Sequence, residues 1–266
     1  METISVIIPC FNCCQTIERA LLSIINQSRK PNEIIVIDDA SNKIELIESI
    51  LKNLEHECLE KKIDLIFVKL KKNSGPGVAR NHGISISKGE YIFFLDSDDC
   101  WFQDKISDQI ALSKKYKDIN VFCHLLDGIP TSGFQFKNSK ILFLTFNKLI
   151  FSNKVITSSV MIRGGKDFLF PLNQRYAEDH SLWLEICFSG QKILLDNNIY
   201  GRTFRKDWCT DSHSSSLLKS ETFELKNLMS YLGKNNTNNT LMIISIIFSL
   251  VKFIRRCIYK IFCVFR

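Results

Sequence analysis

The sequence contains no internal repeat, and its C-terminal tail has neither an acidic residue nor a long uncharged run. The longest uncharged stretch of the tail, residues 241–251, is 11 residues long, whereas a helix needs about 20 apolar residues to cross a bilayer. The chain also opens directly into the apolar run Ile4 to Ile8, without the charged segment and cleavage site of a secretory leader. We therefore expect a chain that neither spans a membrane nor is exported.

Positive charge is concentrated at the C-terminal end. The formal net charge is +7 at pH 7, and residues 241–266 contribute +5 of it through two lysines and three arginines. Only +2 remains for the rest of the chain, so a basic face for nucleic acid is not indicated. We predict no nucleic-acid partner.

Ten cysteines are present, and several lie within apolar runs, where a thiol behaves as a small hydrophobic group. Without a leader, reduced thiols are expected. Cys10-Phe11-Asn12-Cys13 stands between a predicted strand and a predicted helix, where a thioredoxin-like redox pair would lie. However, Cys14 follows directly, and the chain has more αβ units than that fold needs. We interpret the pair as incidental.

The first hundred residues alternate between short apolar runs and helical stripes. Four continuous apolar runs indicate strands that are buried on both faces, and the stripes between them have the spacing of amphipathic helices. The first stripe consists of Ile17, Ala20, Leu21, Ile24 and Ile25. This order predicts an α/β fold with a doubly wound, mostly parallel sheet. A later helix is predicted from Trp101 to Tyr116 and a strand from Val155 to Ile162.

The tail is predicted to be one amphipathic helix. Its polar positions Ser245, Ser249, Lys252, Arg256 and Lys260 are spaced 4, 3, 4 and 4 residues apart, which is one face of a helix. Its other positions are largely apolar, so we interpret it as a basic helix that lies on an anionic membrane surface. The alternative is a helix that packs on the protein's own core.

Acidic residues follow two of the predicted strands. The second strand ends in Asp38-Asp39 and the fourth in Asp96-Ser97-Asp98-Asp99. In a doubly wound sheet, ligands bind outside the carboxyl ends of the strands. Three carboxylates within four residues repel each other, so a hard cation shared with substrate phosphates is the natural compensation.

These strand ends also resemble the successive signatures of family 2 glycosyltransferases, which have the GT-A fold. The resemblance covers residues 1 to about 115, in family order and spacing. It implies an inverting transfer from a nucleoside-diphosphate sugar, UDP-linked, with Mn²⁺ or Mg²⁺. The matching segments are Val6-Ile7-Ile8-Pro9 with Phe11-Asn12, Val36-Ile37-Asp38-Asp39-Ala40-Ser41, Gly75-Pro76-Gly77-Val78-Ala79-Arg80-Asn81 and Phe94-Leu95-Asp96-Ser97-Asp98-Asp99.

The resemblance also implies roles for single residues. Asp98 would ligate the metal on the diphosphate. Asp99 would be either a second ligand or the N-cap of the helix predicted from Trp101, and we favour the cap. The residues implied in donor binding are Pro9, Phe11, Asn12, Asp39, Arg80, Asn81, Asp96 and Ser97.

A second acidic element, Glu178-Asp179, precedes an apolar helical run and resembles the family's Glu-Asp element. By that resemblance Asp179 is the catalytic base that takes the proton of the acceptor hydroxyl, and Glu178 lies on the acceptor side. The alternative is that Asp179 only caps the following helix.

Relatives of the family carry an Arg-x-His element further along the chain. Here Arg202-Thr203-Phe204 lacks this histidine, and His213 is a candidate substitute at the metal.

We predict a peripheral enzyme at the cytoplasmic face of the inner membrane that transfers a hexose or N-acetylhexosamine to a lipid-linked saccharide, as in bacterial surface-polysaccharide (O-antigen) assembly. The predicted parts are a donor lobe (1–125), a smaller acceptor and base lobe (126–233), a polar linker (234–240) and the membrane-surface helix (241–266). Two alternatives stay open. One is a catalytically silent sugar-binding or scaffold protein of the same fold, and the other is a Mg-dependent phosphoryl-transfer domain.

Overall fold

The computed structural model describes residues 2–129, 140–204 and 217–264. Strands and helices alternate through the first half of the chain, as the apolar pattern predicts. Short 3₁₀ turns occupy Thr157–Ser159 and Gly165–Asp167. In chain order the other elements are β1 (Ile4–Cys10), α1 (Ile17–Ile25), β2 (Glu33–Asp38), α2 (Ile44–Glu60), β3 (Asp64–Lys69), α3 (Pro76–Ile86), β4 (Tyr91–Phe94), β5 (Cys100–Trp101), α4 (Lys105–Lys115), β6 (Val121–Asp127), β7 (Ile141–Leu144), α5 (Phe146–Leu149), β8 (Met161–Arg163), α6 (Glu178–Phe188), β9 (Ile193–Arg202), α7 (Leu217–Met229) and α8 (Asn239–Val264).

All the described strands belong to one sheet of nine strands, in the order β3-β2-β1-β4-β8-β6-β9-β5, with β7 pairing with β9. Strands β3, β2, β1 and β4 are parallel, while β8 runs antiparallel to both β4 and β6. The predicted mostly parallel, doubly wound sheet is confirmed. The sheet also continues across residue 125, the predicted boundary between the two lobes, because β8 pairs with both β4 and β6. The division into two lobes stays a prediction.

The apolar runs are continuous because helices cover both faces of the sheet. Every residue of β1 is buried. Val6 and Ile8 belong to the core cluster beneath α1, α2 and α4, whereas Ile7 belongs to the cluster that α3 and α6 share. Since successive side chains of a strand point to opposite faces, nearly every position of such a strand is apolar. The serine of β1, Ser5, is buried with a hydrogen bond to Glu33 of β2.

The chain after the acidic cluster differs from the prediction. Cys100 and Trp101 form β5, which pairs with β9, and α4 begins only at Lys105, with Asp104 as its N-cap residue. The prediction that Asp99 caps a helix from Trp101 is therefore wrong. The strand predicted from Val155 to Ile162 is largely wrong as well, because a 3₁₀ turn lies in this run and β8 begins at Met161.

Helix α8 turns its polar face inward. Ser249 donates a hydrogen bond of 2.9 Å to Glu221 of α7, and Lys252 donates one of 2.9 Å to the carbonyl oxygen of Phe151. The opposite face is apolar and exposed; it consists of Ile243, Ile244, Ile247, Phe248, Leu250, Val251, Ile254 and Ile258. Among the helices that the structure describes, none combines the length and the apolar character needed to cross a bilayer.

Candidate active site

The carboxyl ends of β1 and β2 lie side by side and are joined by their loops. Cys10 pairs with Asp38 at the last position of the ladder. Beyond it, the backbone N–H of Asn12 donates to the Ser41 hydroxyl at 2.7 Å, and Asn12 Oδ1 accepts from the backbone N–H of Asn42 at 2.9 Å. Both loops are thereby held at the edge where a nucleotide is expected.

The predicted nucleotide residues of β1 differ in exposure. Pro9 is buried within the strand, so it can shape a pocket only by supporting the residues that line it. The Phe11 side chain is 45% exposed, which leaves an aromatic surface open for stacking on a base. Contact of Pro9, Phe11 and Asn12 with a donor stays a prediction.

Asp39 is buried and holds the loop before α3. Its two carboxylate oxygens accept hydrogen bonds of 2.7 Å from the backbone N–H groups of Ser74 and Gly75. Burial raises the pKa of Asp39, and the two N–H groups act in the opposite direction. Each carboxylate oxygen can accept more than one hydrogen bond, so a donor contact is compatible with this arrangement.

Asp96, Asp98 and Asp99 form one acidic cluster, with one carboxylate oxygen of each lying within 4.8 Å of the others. Asp96 and Asp99 are buried, while Ser97 and Asp98 are half-buried. Burial raises the pKa of Asp99 to about 7, and the negative charges of Asp96 and Asp98 add to the effect.

The cluster fits a divalent cation. Neither buried carboxylate oxygen of Asp99 makes a hydrogen bond within the part of the chain that the structure describes, although the hydroxyls of Ser158 and Thr203 lie near enough to lower its pKa. Oxygen atoms are the ligands that Mg²⁺ and Mn²⁺ prefer. Asp99, excluded as a helix cap, is thus a candidate ligand beside Asp98.

Arg80 connects this cluster to α6. The guanidinium donates to Asp96 Oδ1 at 2.6 Å and to Glu178 Oε1 at 3.2 Å, and it is almost fully buried. Burial acts to lower the pKa of Arg80, but the carboxylates of Asp96 and Glu178 outweigh it and raise the pKa. Arg80 therefore joins the two acidic elements, and its contact with a donor stays a prediction.

Asn81 has a structural partner. Its amide donates to the carbonyl oxygen of Phe170 at 2.7 Å, and its Oδ1 accepts from the Phe170 backbone N–H at 2.8 Å. Because the two ends of the amide bind one backbone unit, Asn81 anchors the segment before α6. A further contact with a donor stays a prediction.

Glu178 and Asp179 begin α6 in different environments. Glu178 is buried beside Gly77, where an added Cβ would approach Glu178 Cγ to 2.9 Å, so glycine permits the close approach. Burial raises the pKa of Glu178 to about 7, the charge of Asp179 adds to it, and Arg80 opposes it. Its position on the acceptor side stays a prediction.

Asp179 is half-buried and held from two sides. Asn153 Nδ2 donates to Asp179 Oδ2 at 3.0 Å, and the His180 N–H donates to Asp179 Oδ1 at 2.7 Å. The N-cap residue of α6 is Ala177, so Asp179 lies in the first turn and is not the cap. The role of Asp179 as catalytic base stays a prediction.

His213, the candidate substitute at the metal, lies outside the described residues.

Three contacts of the site carry no signal in the sequence. Asn153 orients Asp179, and Ser158 Oγ accepts from the Asp96 N–H at 3.1 Å. Arg19 Nη2 donates to the carbonyl oxygen of Asp98 at 2.5 Å. All three come from distant segments without a recognisable motif, so only the tertiary structure reveals them.

Cys10 and Cys13 form a disulfide, so the prediction of incidental reduced thiols is wrong for this pair. The bond closes the short loop that carries Phe11 and Asn12. The carbonyl oxygen of Cys13 also accepts from the backbone N–H groups that begin α1, at 2.9 and 3.0 Å. The disulfide therefore links the loop that carries Phe11 and Asn12 to the start of α1.

Comparison with known proteins finds glycosyltransferases, the class that the sequence motifs resemble. The model of glycosyl transferase family 2 matches residues 5–181. An uncharacterized glycosyltransferase of Rickettsia felis is 34% identical over 196 residues, which are 69% of this chain and 30% of that protein. The Escherichia coli UDP-Glc:alpha-D-GlcNAc-diphosphoundecaprenol beta-1,3-glucosyltransferase WfaP is 31% identical over 199 residues, which are 72% of this chain and 73% of that protein. The chain thus spans less than a third of the Rickettsia protein.

Solved structures agree in fold. S. aureus TarS 1-349 in complex with UDP-GlcNAc aligns with a TM-score of 0.69 and 21% identity, over 90% of this chain and 69% of that chain. The mannosyltransferase PcManGT from Pyrobaculum calidifontis, in complex with GDP-Man and Mn²⁺, aligns with a TM-score of 0.67 and 13% identity, over 94% of this chain and 73% of that chain. Since the family model covers more than half of the sequence and the GT-A fold is shared, the chain belongs to glycosyl transferase family 2.

Proposed function

We propose that this chain transfers a hexose or N-acetylhexosamine from a UDP-linked sugar to a hydroxyl group of a lipid-linked saccharide, with inversion and with a divalent cation. The observation that carries the proposal is the contact of Arg80 with both Asp96 and Glu178, which makes the acidic cluster and the start of α6 one site. The UDP-GlcNAc bound to TarS and the diphosphoundecaprenol acceptor in the name of WfaP support the donor and acceptor classes.

Asp98, with Asp99 beside it, would hold Mn²⁺ or Mg²⁺. When bound, such a cation stabilises negative charge on the departing diphosphate. Asp96, neutralised by Arg80 at 2.6 Å, is less available as a ligand and more suited to accept a hydrogen bond from a ribose or sugar hydroxyl. The Mn²⁺ in the PcManGT complex supports the choice of metal.

Asp179 would be the general base. A base must take the proton of the acceptor hydroxyl as that oxygen attacks the anomeric carbon, and attack opposite the leaving diphosphate inverts the configuration. The bonds from Asn153 and His180 keep the carboxylate in one orientation. Because Asp179 is only half-buried, its carboxylate is accessible to an acceptor, whereas that of Glu178 is not.

A panel of nucleotide sugars tests this function. The full chain is heated with Mn²⁺ and each sugar nucleotide, and the donor is expected to raise the melting temperature, because a ligand that binds only the folded state stabilises it. The stabilising donor is then supplied with an undecaprenyl-diphosphate saccharide, and the product linkage is determined by NMR. Binding without transfer to any acceptor would favour the silent sugar-binding alternative, and retention of configuration would contradict inversion.

We propose that the protein lies peripherally at the cytoplasmic face of the inner membrane, and the outward face of α8 supports contact with an anionic membrane surface. The eight apolar side chains of this helix face are 40–57% exposed. The tail carries +5 without an acid, although Lys252 and Arg256 are turned inward and pair with Glu224 and Glu221 of α7. Arg255 is exposed beside this face. Apolar area combined with basic charge is what an anionic lipid surface binds, and such a surface would bring the enzyme to its lipid-linked acceptor.

Vesicle sedimentation tests the membrane position. The double variant Ile247→Glu/Val251→Glu changes only the outward face, and we expect it to bind phosphatidylglycerol vesicles about tenfold or more weakly, since each apolar side chain buried contributes about 1.5–3 kcal/mol. Leu59→Glu on α2, where Leu59 is 74% exposed, is the matched control and should bind as the wild type does. Equal binding of the double variant would contradict the proposal.

A further inference from the structure

Arg19 connects α1 to the backbone of the acidic cluster. It is half-buried and points away from the apolar stripe of its helix, which faces the core. Its Nη2 donates a hydrogen bond of 2.5 Å to the carbonyl oxygen of Asp98, 79 residues further along the chain. A charged donor makes a stronger hydrogen bond than a neutral one, so the Asp98 backbone is firmly held.

The same guanidinium stacks on an aromatic ring. Its central carbon lies 3.7 Å from the centroid of the Phe204 ring, which is within the range of a cation–π contact. Phe204 lies two residues beyond the end of β9 at Arg202. Arg19 therefore joins three separate segments: α1, the acidic cluster and the chain beyond β9.

We propose that Arg19 is a positioning residue for the metal site, and this inference rests on the proposed function. By holding the Asp98 carbonyl, Arg19 fixes the backbone from which the proposed ligand side chain extends. Groups that orient a metal ligand typically affect metal affinity about 10- to 100-fold.

The geometry requires arginine rather than any cation. The planar guanidinium presents its face to Phe204 while an edge N–H reaches Asp98. A lysine ammonium is a compact charge without such a plane, so it cannot make both contacts in the same way. An arginine that only stabilised α1 would affect the melting temperature without a specific effect on the metal.

The test measures metal affinity directly. Mn²⁺ is titrated into the full chain in the presence of UDP, and free Mn²⁺ is followed by electron paramagnetic resonance. We expect the dissociation constant of Mn²⁺ to rise about 10- to 100-fold in Arg19→Ala, and Arg19→Lys to recover only part of the loss. Arg29→Ala is the matched control, because Arg29 pairs with Glu2 and has no contact with the cluster among the described residues.

The outcomes separate the two proposals. If the wild type binds Mn²⁺ and both Arg19 variants bind it within twofold of the wild type, the role of Arg19 is rejected while the proposed function stands. If the wild type binds no Mn²⁺ with UDP, both are rejected. Arg19→Lys, which keeps the aliphatic stem and the charge, decides the question if Arg19→Ala does not fold.

Discussion

Arg80 and Glu178 form a buried ion pair of 3.2 Å, although they lie 98 residues apart in the chain. The same guanidinium binds Asp96 at 2.6 Å. One positive charge therefore serves two acidic elements, one after β4 and one at the start of α6. In the proposed mechanism this contact holds the proposed metal site and the proposed base at a set distance from each other.

Removing Arg80 should destabilise the protein strongly. Arg80→Met leaves two buried carboxylates without their partner, and breaking a buried ion pair in this way costs about 3–5 kcal/mol. Urea denaturation of both proteins measures the change in the free energy of unfolding. The control is Arg202→Ala, because the Arg202–Asp127 pair is about half exposed and such pairs contribute only about 0–1 kcal/mol. Similar losses in the two variants would contradict the role of Arg80.

Asp98 and Asp179 should be separable by experiment. Asp98→Ala is expected to abolish Mn²⁺-dependent binding of the UDP-sugar, measured by calorimetry, and therefore all transfer. Asp179→Asn should leave donor binding intact and lower kcat about 10²- to 10⁴-fold, which is the usual contribution of a general base. Asp64→Ala, at an exposed position of β3, is the control. Transfer at the wild-type rate by Asp179→Asn would remove Asp179 from the base role.

The raised pKa of Glu178 predicts that the stability of the protein depends on pH. Its pKa is raised from 4.5 to about 7, first by burial and then by Asp179. An acid whose pKa is higher in the folded state binds more protons when the protein is folded. The contribution of Glu178 to the free energy of unfolding is therefore fully present below pH 4.5 and is lost as the pH rises through about 7. The melting temperature of the metal-free protein should therefore fall across this range.

Substitution of Glu178 isolates that contribution. Glu178→Gln keeps the shape but does not titrate, so the difference in melting temperature between pH 5 and pH 8 should become smaller. Glu45→Gln, an exposed position on α2, should retain the full wild-type difference. An unchanged difference in Glu178→Gln would show that other groups cause the pH dependence.

The disulfide between Cys10 and Cys13 should contribute modestly to stability. A bond that closes so short a loop restricts the unfolded chain by about 2 kcal/mol in the loop-entropy model. Cys13→Ala, or reduction of the wild type with dithiothreitol, is expected to lower the free energy of unfolding by this amount in urea denaturation. Cys14→Ala, which changes the neighbouring free thiol, is the control. No effect of either treatment would exclude a stabilising disulfide in solution.

The sequence predicted the parallel half of the fold well for a physical reason. In β1, β2 and β4 every residue is buried, and a strand covered on both faces is largely apolar, without the alternation of polar residues that a half-exposed strand shows. The polar residues that end these strands could also be assigned to one edge of the sheet, because parallel strands bring their carboxyl ends together. The short strand β5 is not predicted at all, and β8 is predicted only with the wrong bounds, because neither has such a run.

The interpretation of Asp99 failed because local pattern and tertiary context disagree. An aspartate before an apolar stripe is typical of a helix N-cap, but Trp101 pairs with Gly201 of β9, and the helix starts only at Lys105. The pairing partner lies a hundred residues away. Local sequence could not predict that this strand competes with the helix for the same residues.

The sequence by itself determined the family, the order of the first strands and helices, and the residue types of the acidic cluster, because these follow from local periodicity and from short motifs. Only the tertiary structure decided which groups meet. Arg80 between Asp96 and Glu178, Arg19 on the Asp98 carbonyl, and the inward polar face of α8 are contacts between distant segments. Such contacts depend on how the helices pack on the sheet, and packing is a property of the whole chain.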